Sequence, residues 1–411
     1  MTTATKLWNK NFIKYIFAYE LSEIGTVLLT FAIPIYILIA TNNPALLGTI
    51  FTLNLLPHVL VTPIGGLLAD SVSKKSVIVV SQFSIVFIIG IYALISGSFN
   101  THLISVGLLF LMTTLQAIQG SSFETVLYSI IPMDDLMKAN SVTYIMMIGS
   151  GVIIPILSGF LLRRLGLEFI IYISLILFFL SAVVNASMKV KFEKPEKIET
   201  GFFKAVLADF NAGFKYVWKE NINLKRATIG IFLYALLITP ALNLIPSVFI
   251  INGLGMNESN LGLAQGIIAL GGITGILIQR KSGEKINVSK LPGMLLLMSV
   301  VSIFTSILFL LTSGTLAYIL IVIGITFMNI FIMMSSLIYF TYLGTNTPEE
   351  IVGKVMSFAI VIMTLGGAIA QFTVSRLFNI AGDNLALAAL VLPIVVLISV
   401  PLMITRGKGQ E

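Results

Sequence analysis

Apolar runs of about twenty residues recur along the whole sequence, and they constrain the fold more than any other feature. A helix that crosses the hydrocarbon core of a bilayer needs about 20 mostly apolar residues. Each run therefore predicts one spanning helix. Twelve are predicted, at residues 12–40, 46–69, 74–96, 102–126, 139–162, 168–188, 226–252, 258–280, 290–312, 315–342, 352–376 and 384–405. The predicted fold class is an all-α membrane protein.

The composition agrees with a membrane protein and argues against several other classes. Hydrophobic residues make up 57% of the 411 residues and charged residues 10%, whereas soluble proteins carry about 25% charged residues. The sequence has no cysteine and two histidines, His58 and His102, so we expect no disulfide, no metal site and no cofactor. It contains no phosphate-binding P-loop and no nucleophile–base pair, which argues against an ATP-driven pump and an enzyme.

The basic residues predict the orientation in the membrane. The net charge of +7 comes from short clusters between apolar runs, which is typical of cytoplasmic loops rather than of nucleic-acid binding. All but three of the 25 Lys and Arg residues lie at the two ends or in loops after even-numbered spans; the exceptions are Arg163, Arg164 and Arg376. We expect both termini in the cytoplasm, no cleaved signal and a location in the plasma membrane.

A long polar stretch at 189–226 divides the spans into two groups of six. Related turns recur in the two halves, GLLADS with GILIQR and PMDDLMKANS with TPEEIVGKVMS, as in transporters built from repeats. We expect a bundle at 1–188, a linker at 189–225 and a bundle at 226–411. The linker segment GFFKAVLADFNAGFKYVWKE predicts an amphipathic helix on the inner membrane surface. It either joins the halves or senses lipid.

Acidic side chains inside predicted spans are candidates for proton coupling, because a charge there costs about 2.5–3.5 kcal/mol. Glu20 and Glu23 lie three residues apart and share one face of span one. Two carboxylates so close do not both ionise easily, so the pair could bind and release a proton as access alternates. Glu23 is favoured because it lies deeper. Glu124 in span four and His58 in span two are further candidates, and a packing role is open for all four.

The predicted spans also limit the substrate. None carries Lys or Arg in its middle, which argues against carriers of phosphate, nitrate or sugar phosphates. Acids with aromatic and Met side chains suit a lipophilic cation or neutral compound. Hydrogen bonds in a central cavity could come from side chains that also suit helix packing, namely Asn54, Gln116, Gln119, Asn243, Gln265 and Asn329.

The turn GGLLADSVSKK after span two resembles the cytoplasmic signature of the major facilitator superfamily. Its matching residues are Gly66, Asp70, Lys74 and Lys75. Ser71 and Ser73 differ from the usual basic residue and glycine. The resemblance implies that the turn takes part in gating, with Asp70 as a latch.

Span five contains SGVIIPILSGFL, which is similar to the antiporter signature of that superfamily through Gly151, Pro155 and Gly159. Ile154 and Ser158 replace glycines of the signature. The opening LWNKNFIKY and the turn PEEIVGK resemble the branch of drug:proton antiporters that contains macrolide-efflux proteins and a siderophore exporter. The resemblance implies two pseudo-symmetric six-helix bundles, a central cavity, alternating access and proton coupling.

These features together predict a secondary transporter that exports lipophilic, cationic or neutral drugs by proton antiport. The expected partners are a small lipophilic substrate, protons and the bilayer, with no nucleic acid and a monomeric chain. The proton gradient would take the place of a cofactor. The alternatives are a dedicated exporter of a metabolite such as a siderophore or lipid, a proton symporter, and a membrane scaffold or sensor without transport.

Overall fold

The computed structural model describes residues 7–61, 72–95, 102–190, 202–220, 222–281, 288–348, 350–382 and 384–404. These residues are almost entirely helical, and none of them is in a β-strand. The main helices are α1 (Lys10–Thr41), α2 (Pro44–Leu60), α3 (Lys74–Ile95), α4 (His102–Ile130), α5 (Leu136–Ala186), α6 (Phe202–Lys215), α7 (Ile222–Thr239), α8 (Glu258–Lys281), α9 (Leu291–Leu311), α10 (Gly314–Thr345), α11 (Val352–Ala381) and α12 (Leu385–Ile404).

The helices confirm the predicted all-α membrane fold. Within the described part of the chain, nine helical stretches are long and apolar enough to cross a bilayer, and Pro44–Leu60 and Leu385–Val400 are shorter apolar helices. α5 carries two predicted spans, 139–162 and 168–188, in one run. Gly166 separates them with φ 80° and ψ 176°, a backbone conformation that glycine adopts without the steric cost of a side chain.

Prolines change the helix type after α7. Pro240–Leu244 forms a π-helical turn, Ile245–Ser247 a short α-helical turn and Val248–Gly253 a second π-helical segment. Proline lacks the N–H that the α-helical ladder needs, and π-helical turns are one way to accommodate that loss. The stretch Ile222–Gly253 is nevertheless one continuous apolar span of 32 residues.

The chain forms two compact units. Unit 1 contains Met1–Tyr36 and Leu56–Lys204, and unit 2 contains Ile37–Leu55 and Ala205–Glu411. The end of α1 and most of α2 are thus grouped with unit 2. The sequence boundaries at 188 and 226 stay a prediction.

Each unit has its own apolar core. The core of unit 1 includes Phe12, Ile78, Val126 and Ala139, from α1, α3, α4 and α5. The much larger core of unit 2 includes residues of α7 to α12, together with Leu38 and Leu47. Fixed helix positions of this kind hold the polar side chains of unit 1 in place.

A close contact joins α2 to α11 inside unit 2. A methyl group added to Gly48 would overlap the side chain of Ser375 and come within 2.9 Å of the Gln371 carbonyl oxygen. Nearby, the Thr52 hydroxyl donates a hydrogen bond of 3.4 Å to the Ala368 carbonyl. The missing side chain at position 48 therefore lets the two helices approach.

Candidate functional site

The two acids of α1 occupy different surroundings. Glu20 is buried, with 9% of its surface exposed. Its Oε2 accepts a hydrogen bond of 2.7 Å from the Ser150 hydroxyl of α5, and its Oε1 has no hydrogen-bond partner among the described residues. Glu23 is half-buried. The structure therefore places Glu20 in the interior of unit 1, with Ser150 as an added partner, and leaves Glu23 partly accessible.

Further hydrogen bonds tie the same part of α1 to α3 and α4. The buried Gln82 of α3 donates a hydrogen bond of 2.9 Å to the Ser22 hydroxyl. The Gln116 amide of α4 donates to the Thr26 hydroxyl. Around the two acids, α1 is thus fixed by polar contacts to three helices. Of these partners, the sequence prediction named Gln116 and missed Gln82 and Ser150.

A cavity of about 330 Å³ lies in unit 1 between α1, α4 and α5. Five aromatic rings line it, from Tyr15, Tyr19, Phe123, Tyr128 and Tyr144. The remaining lining residues are Glu124, Gly120, Leu127, Asn140, Thr143 and Met147. On α4 and on α5 these positions recur every three or four residues, so each helix presents one face to the cavity.

The rings form a connected wall. Tyr19 and Phe123 meet edge to face with 5.5 Å between ring centroids, and Tyr15 and Phe123 do so at 5.9 Å. Edge-to-face contact holds such rings in a defined arrangement. Glu124 is exposed in this wall, and none of the described residues that line the cavity is Lys or Arg. A carboxylate among aromatic faces is a favourable environment for an organic cation.

The acids of α1 continue the cavity along the helix. Glu23 follows Tyr19 by four residues, and Ser150 follows Met147 by three. Such spacings put each pair on one helix face, about 4.5–6 Å apart along the axis. Gln116 precedes Gly120 by one turn on α4 in the same way. Glu23, Gln116 and the Ser150 hydroxyl that binds Glu20 therefore lie about one turn beyond the aromatic cavity.

A second cavity of about 310 Å³ lies in unit 2 and differs in its chemistry. It is lined by three asparagines, Asn42, Asn252 and Asn379, together with Pro44, Gly253, Phe378, Gly382 and Leu385. Asn252 donates to the side-chain oxygen of Asn42. Among the residues that the structure describes, none that lines this cavity is titratable.

Comparison with known families decides what kind of protein carries this site. A family model described as the Major Facilitator Superfamily matches residues 15–371. The chain belongs to the major facilitator superfamily. This superfamily consists of membrane transporters for small molecules, so the chain is a multi-pass membrane transporter. No curated protein sequence matches the chain significantly.

Solved structures of other superfamily transporters share the fold. A POT family transporter in complex with 5-aminolevulinic acid aligns with TM-score 0.74 and 14% identity over 97% of this chain and 98% of that one. The nucleoside transporter NupG aligns with TM-score 0.72 and 13% identity over 97% of this chain and 100% of that one. A D-xylose-proton symporter aligns with TM-score 0.71 and 14% identity over 95% of this chain and 98% of that one. At such identities the likeness shows the fold alone.

The gating signature of the superfamily is described in part. Gly66 and Asp70 lie outside the described residues. Lys74 and Lys75 begin α3 and are half-buried. The latch role of Asp70 stays a prediction.

The span-five signature lies on α5 directly after Ser150. Gly151 is exposed, and an added methyl group would meet no atom within 4 Å. Pro155 and Gly159 are buried. Ser158, which replaces a signature glycine, donates a hydrogen bond of 3.3 Å to the Leu28 carbonyl of α1. The signature stretch thus faces α1 beside the candidate proton site.

The other predicted candidates lie apart from the aromatic cavity. His58 is exposed near the end of α2. Gln119 is buried on α4, with its Oε1 unpartnered among described residues. In unit 2, Asn329 is buried and donates a hydrogen bond of 2.8 Å to the Ile268 carbonyl. This bond ties α10 to α8. Asn54 and Gln265 are half-buried and Asn243 is exposed.

Proposed function

We propose that this transporter exports lipophilic, cationic or neutral compounds in exchange for protons. The observation that supports this is the cavity of unit 1, where the Glu124 carboxylate lies among five aromatic rings and the described lining contains no Lys or Arg. Ring faces attract a cation through their quadrupole, and the carboxylate supplies the opposite charge. The rings also bury apolar surface of a neutral lipophilic compound.

The acid pair of α1, which directly follows the cavity residue Tyr19, supplies the proton side of the exchange. Glu20 and Glu23 share a face of α1, and a proton bound by either acid removes the repulsion between them. A cation bound beside Glu124 and a proton bound at the neighbouring pair are both positive charges and repel each other. Binding of one therefore opposes binding of the other, which is the requirement for antiport.

The proposal includes the expected setting of the protein. Both termini lie in the cytoplasm, the membrane is the plasma membrane, the chain works as a monomer and the proton gradient drives transport. The division into bundles at 1–188 and 226–411 belongs to the same proposal. The basic residues in the loops after even-numbered spans support the cytoplasmic position of both termini.

Transport in proteoliposomes tests the proposal. Purified protein is reconstituted with an acidic interior, and tetraphenylphosphonium or a neutral lipophilic dye is added outside. Antiport predicts accumulation inside that a protonophore abolishes. Accumulation with the opposite gradient would indicate a proton symporter instead. Binding without flux under either gradient would favour a scaffold or sensor.

A further inference from the structure

The linker helix α6 is docked on the first turns of α11. A methyl group added to Gly213 would lie 3.1 Å from Phe358 Cβ and closer still to the Lys354 carbonyl oxygen. The Phe210 ring meets the Phe358 ring edge to face at 5.3 Å. Val217, in the π-helical turn after α6, is fully buried. One side of the predicted amphipathic face is therefore covered by α11 within unit 2.

The other side of that face is exposed. Phe214, Trp218 and Ile222 expose 39%, 37% and 55% of their surfaces. Phe214 and Trp218 are four residues apart and lie on one side of the segment that ends at Glu220, and Ile222 is the first residue of α7. The Phe214 and Trp218 rings stack with 5.8 Å between centroids and 16° between planes. The Phe214 ring also meets the Phe358 ring of α11 edge to face at 5.8 Å, so Phe214 lies at the border between the covered and the exposed part of the face. The side chains of Phe214, Trp218 and Ile222 are called the 214–222 stripe, and the last of them, Ile222, begins α7, which is a membrane span.

Positive charge surrounds the 214–222 stripe. The Nζ atom of Lys225 lies 5.2 Å from the centroid of the Trp218 ring. Lys219 is exposed beside Trp218, and Lys215 is exposed beside Phe214. Residues 202–226 contain five basic and two acidic residues. An apolar aromatic edge with lysines next to it is the pattern of a helix at a membrane interface.

We propose that the 214–222 stripe binds the anionic lipids of the membrane surface. The rings of Phe214 and Trp218 enter the boundary between headgroups and acyl chains, while Lys219 and Lys225 contact the lipid phosphates. A negative membrane surface attracts each nearby basic side chain. The continuity of the stripe with α7 puts it at the level where that span leaves the hydrocarbon. This binding is independent of any transported substrate.

Trp218 provides a direct test, because the chain has only two tryptophans. In the full-length Trp8→Phe variant, Trp218 is the sole indole. The variant is reconstituted into phosphatidylcholine vesicles that contain a minor fraction of brominated phosphatidylglycerol or the same fraction of brominated phosphatidylcholine. Bromine quenches indole fluorescence on contact. The proposal predicts quenching by the anionic lipid that is at least about twofold stronger than by the zwitterionic lipid.

Lysine variants in the same background identify the source of the preference. In the double variant Lys219→Gln/Lys225→Gln, both lipids should quench Trp218 fluorescence equally. The control variant Lys281→Gln/Lys290→Gln loses the same charge at exposed positions elsewhere. In this control, quenching by the anionic lipid should remain stronger. Equal quenching by both lipids before any lysine is changed would overturn the proposal, as would the absence of quenching by either lipid. Equal effects of the two double variants would also overturn it.

Discussion

The Ser150 hydroxyl of α5 donates a hydrogen bond of 2.7 Å to the Glu20 carboxyl of α1, and both side chains are buried. This contact crosses from the start of the span-five signature to the acid pair of span one. It ties the candidate proton site to a helix that also lines the aromatic cavity. A change in the charge of Glu20 therefore alters a hydrogen bond to α5 as well as the surroundings of α1.

Removal of this hydroxyl should destabilise the protein. In Ser150→Ala, neither oxygen of the buried Glu20 carboxyl has a described partner, and an unsatisfied buried acceptor costs about 1–3 kcal/mol. Ser158→Ala is the matched control, because its hydroxyl donates a longer bond of 3.3 Å to a main-chain carbonyl. Thermal unfolding in detergent should show a lower midpoint for Ser150→Ala than for Ser158→Ala. Equal midpoints would show that the contact with Glu20 adds no stability.

Glu124 should decide the affinity for cations. Glu124→Gln keeps the size of the side chain and removes the charge in the cavity wall, so we expect the Kd of tetraphenylphosphonium to rise about tenfold, or ~1.4 kcal/mol. A neutral lipophilic dye should bind with little change. Glu168→Gln removes an exposed acid that is not in the lining and should behave as wild type. Equilibrium dialysis measures all three, and unchanged cation binding by Glu124→Gln would place the substrate elsewhere.

The aromatic wall should act through its ring faces rather than through a phenol group. Tyr19→Phe keeps the ring and should retain cation affinity. Tyr19→Leu keeps apolar bulk but removes the ring, and the lost cation–π attraction of about 0.5–2 kcal/mol should weaken binding roughly 2- to 30-fold. The same dialysis assay compares them. If Tyr19→Phe loses as much affinity as Tyr19→Leu, the hydroxyl and not the ring contacts the substrate.

The close approach of α2 to α11 should tolerate no side chain at position 48. Gly48→Ala would force its methyl group against Ser375 and the Gln371 carbonyl, and overpacking of this kind costs about 1–3 kcal/mol. Adding Ser375→Gly should restore part of the unfolding midpoint. Gly90→Ala on α3 meets no atom within 4 Å and should not lower it. A normal midpoint for Gly48→Ala would contradict the packing described for unit 2.

The predicted orientation can be tested with single cysteines, because the chain has none of its own. Ser187, after α5, and Ser313, between α9 and α10, are both exposed. An impermeant maleimide applied to intact cells should label Ser313→Cys. It should label Ser187→Cys only after the cells have been permeabilised. The reverse pattern would put both termini outside.

The sequence was sufficient to predict the spanning helices. Bilayer hydrocarbon requires long apolar runs, and a helix satisfies the backbone hydrogen-bonding groups within each run. It also placed Glu20, Glu23 and Glu124, since a carboxyl stands out in an apolar segment. It did not indicate how these residues are partnered. Ser150 and Gln82 are ordinary polar residues in spans, and their roles follow from which helix faces meet, which pattern alone does not show.

The cavity and the docking of α6 were equally outside the reach of the pattern. Tyr15, Tyr19, Tyr128 and Tyr144 lie on three helices, and tyrosine is common enough in spans that nothing marked these four. The linker helix was predicted as one amphipathic face. In the structure that face is divided, because Gly213 lets the helix approach α11 on one side.

Proton release on substrate binding tests the central claim most directly. Tetraphenylphosphonium is added to purified protein in weakly buffered detergent solution, and the change in pH is recorded for wild type, Glu20→Gln, Glu23→Gln and the double variant, with binding measured in parallel. The account predicts release from wild type, less release from each single variant and almost none from the double variant, which still binds the cation at Glu124. Release from the double variant equal to that of wild type would contradict the account and leave Glu20 and Glu23 as packing residues.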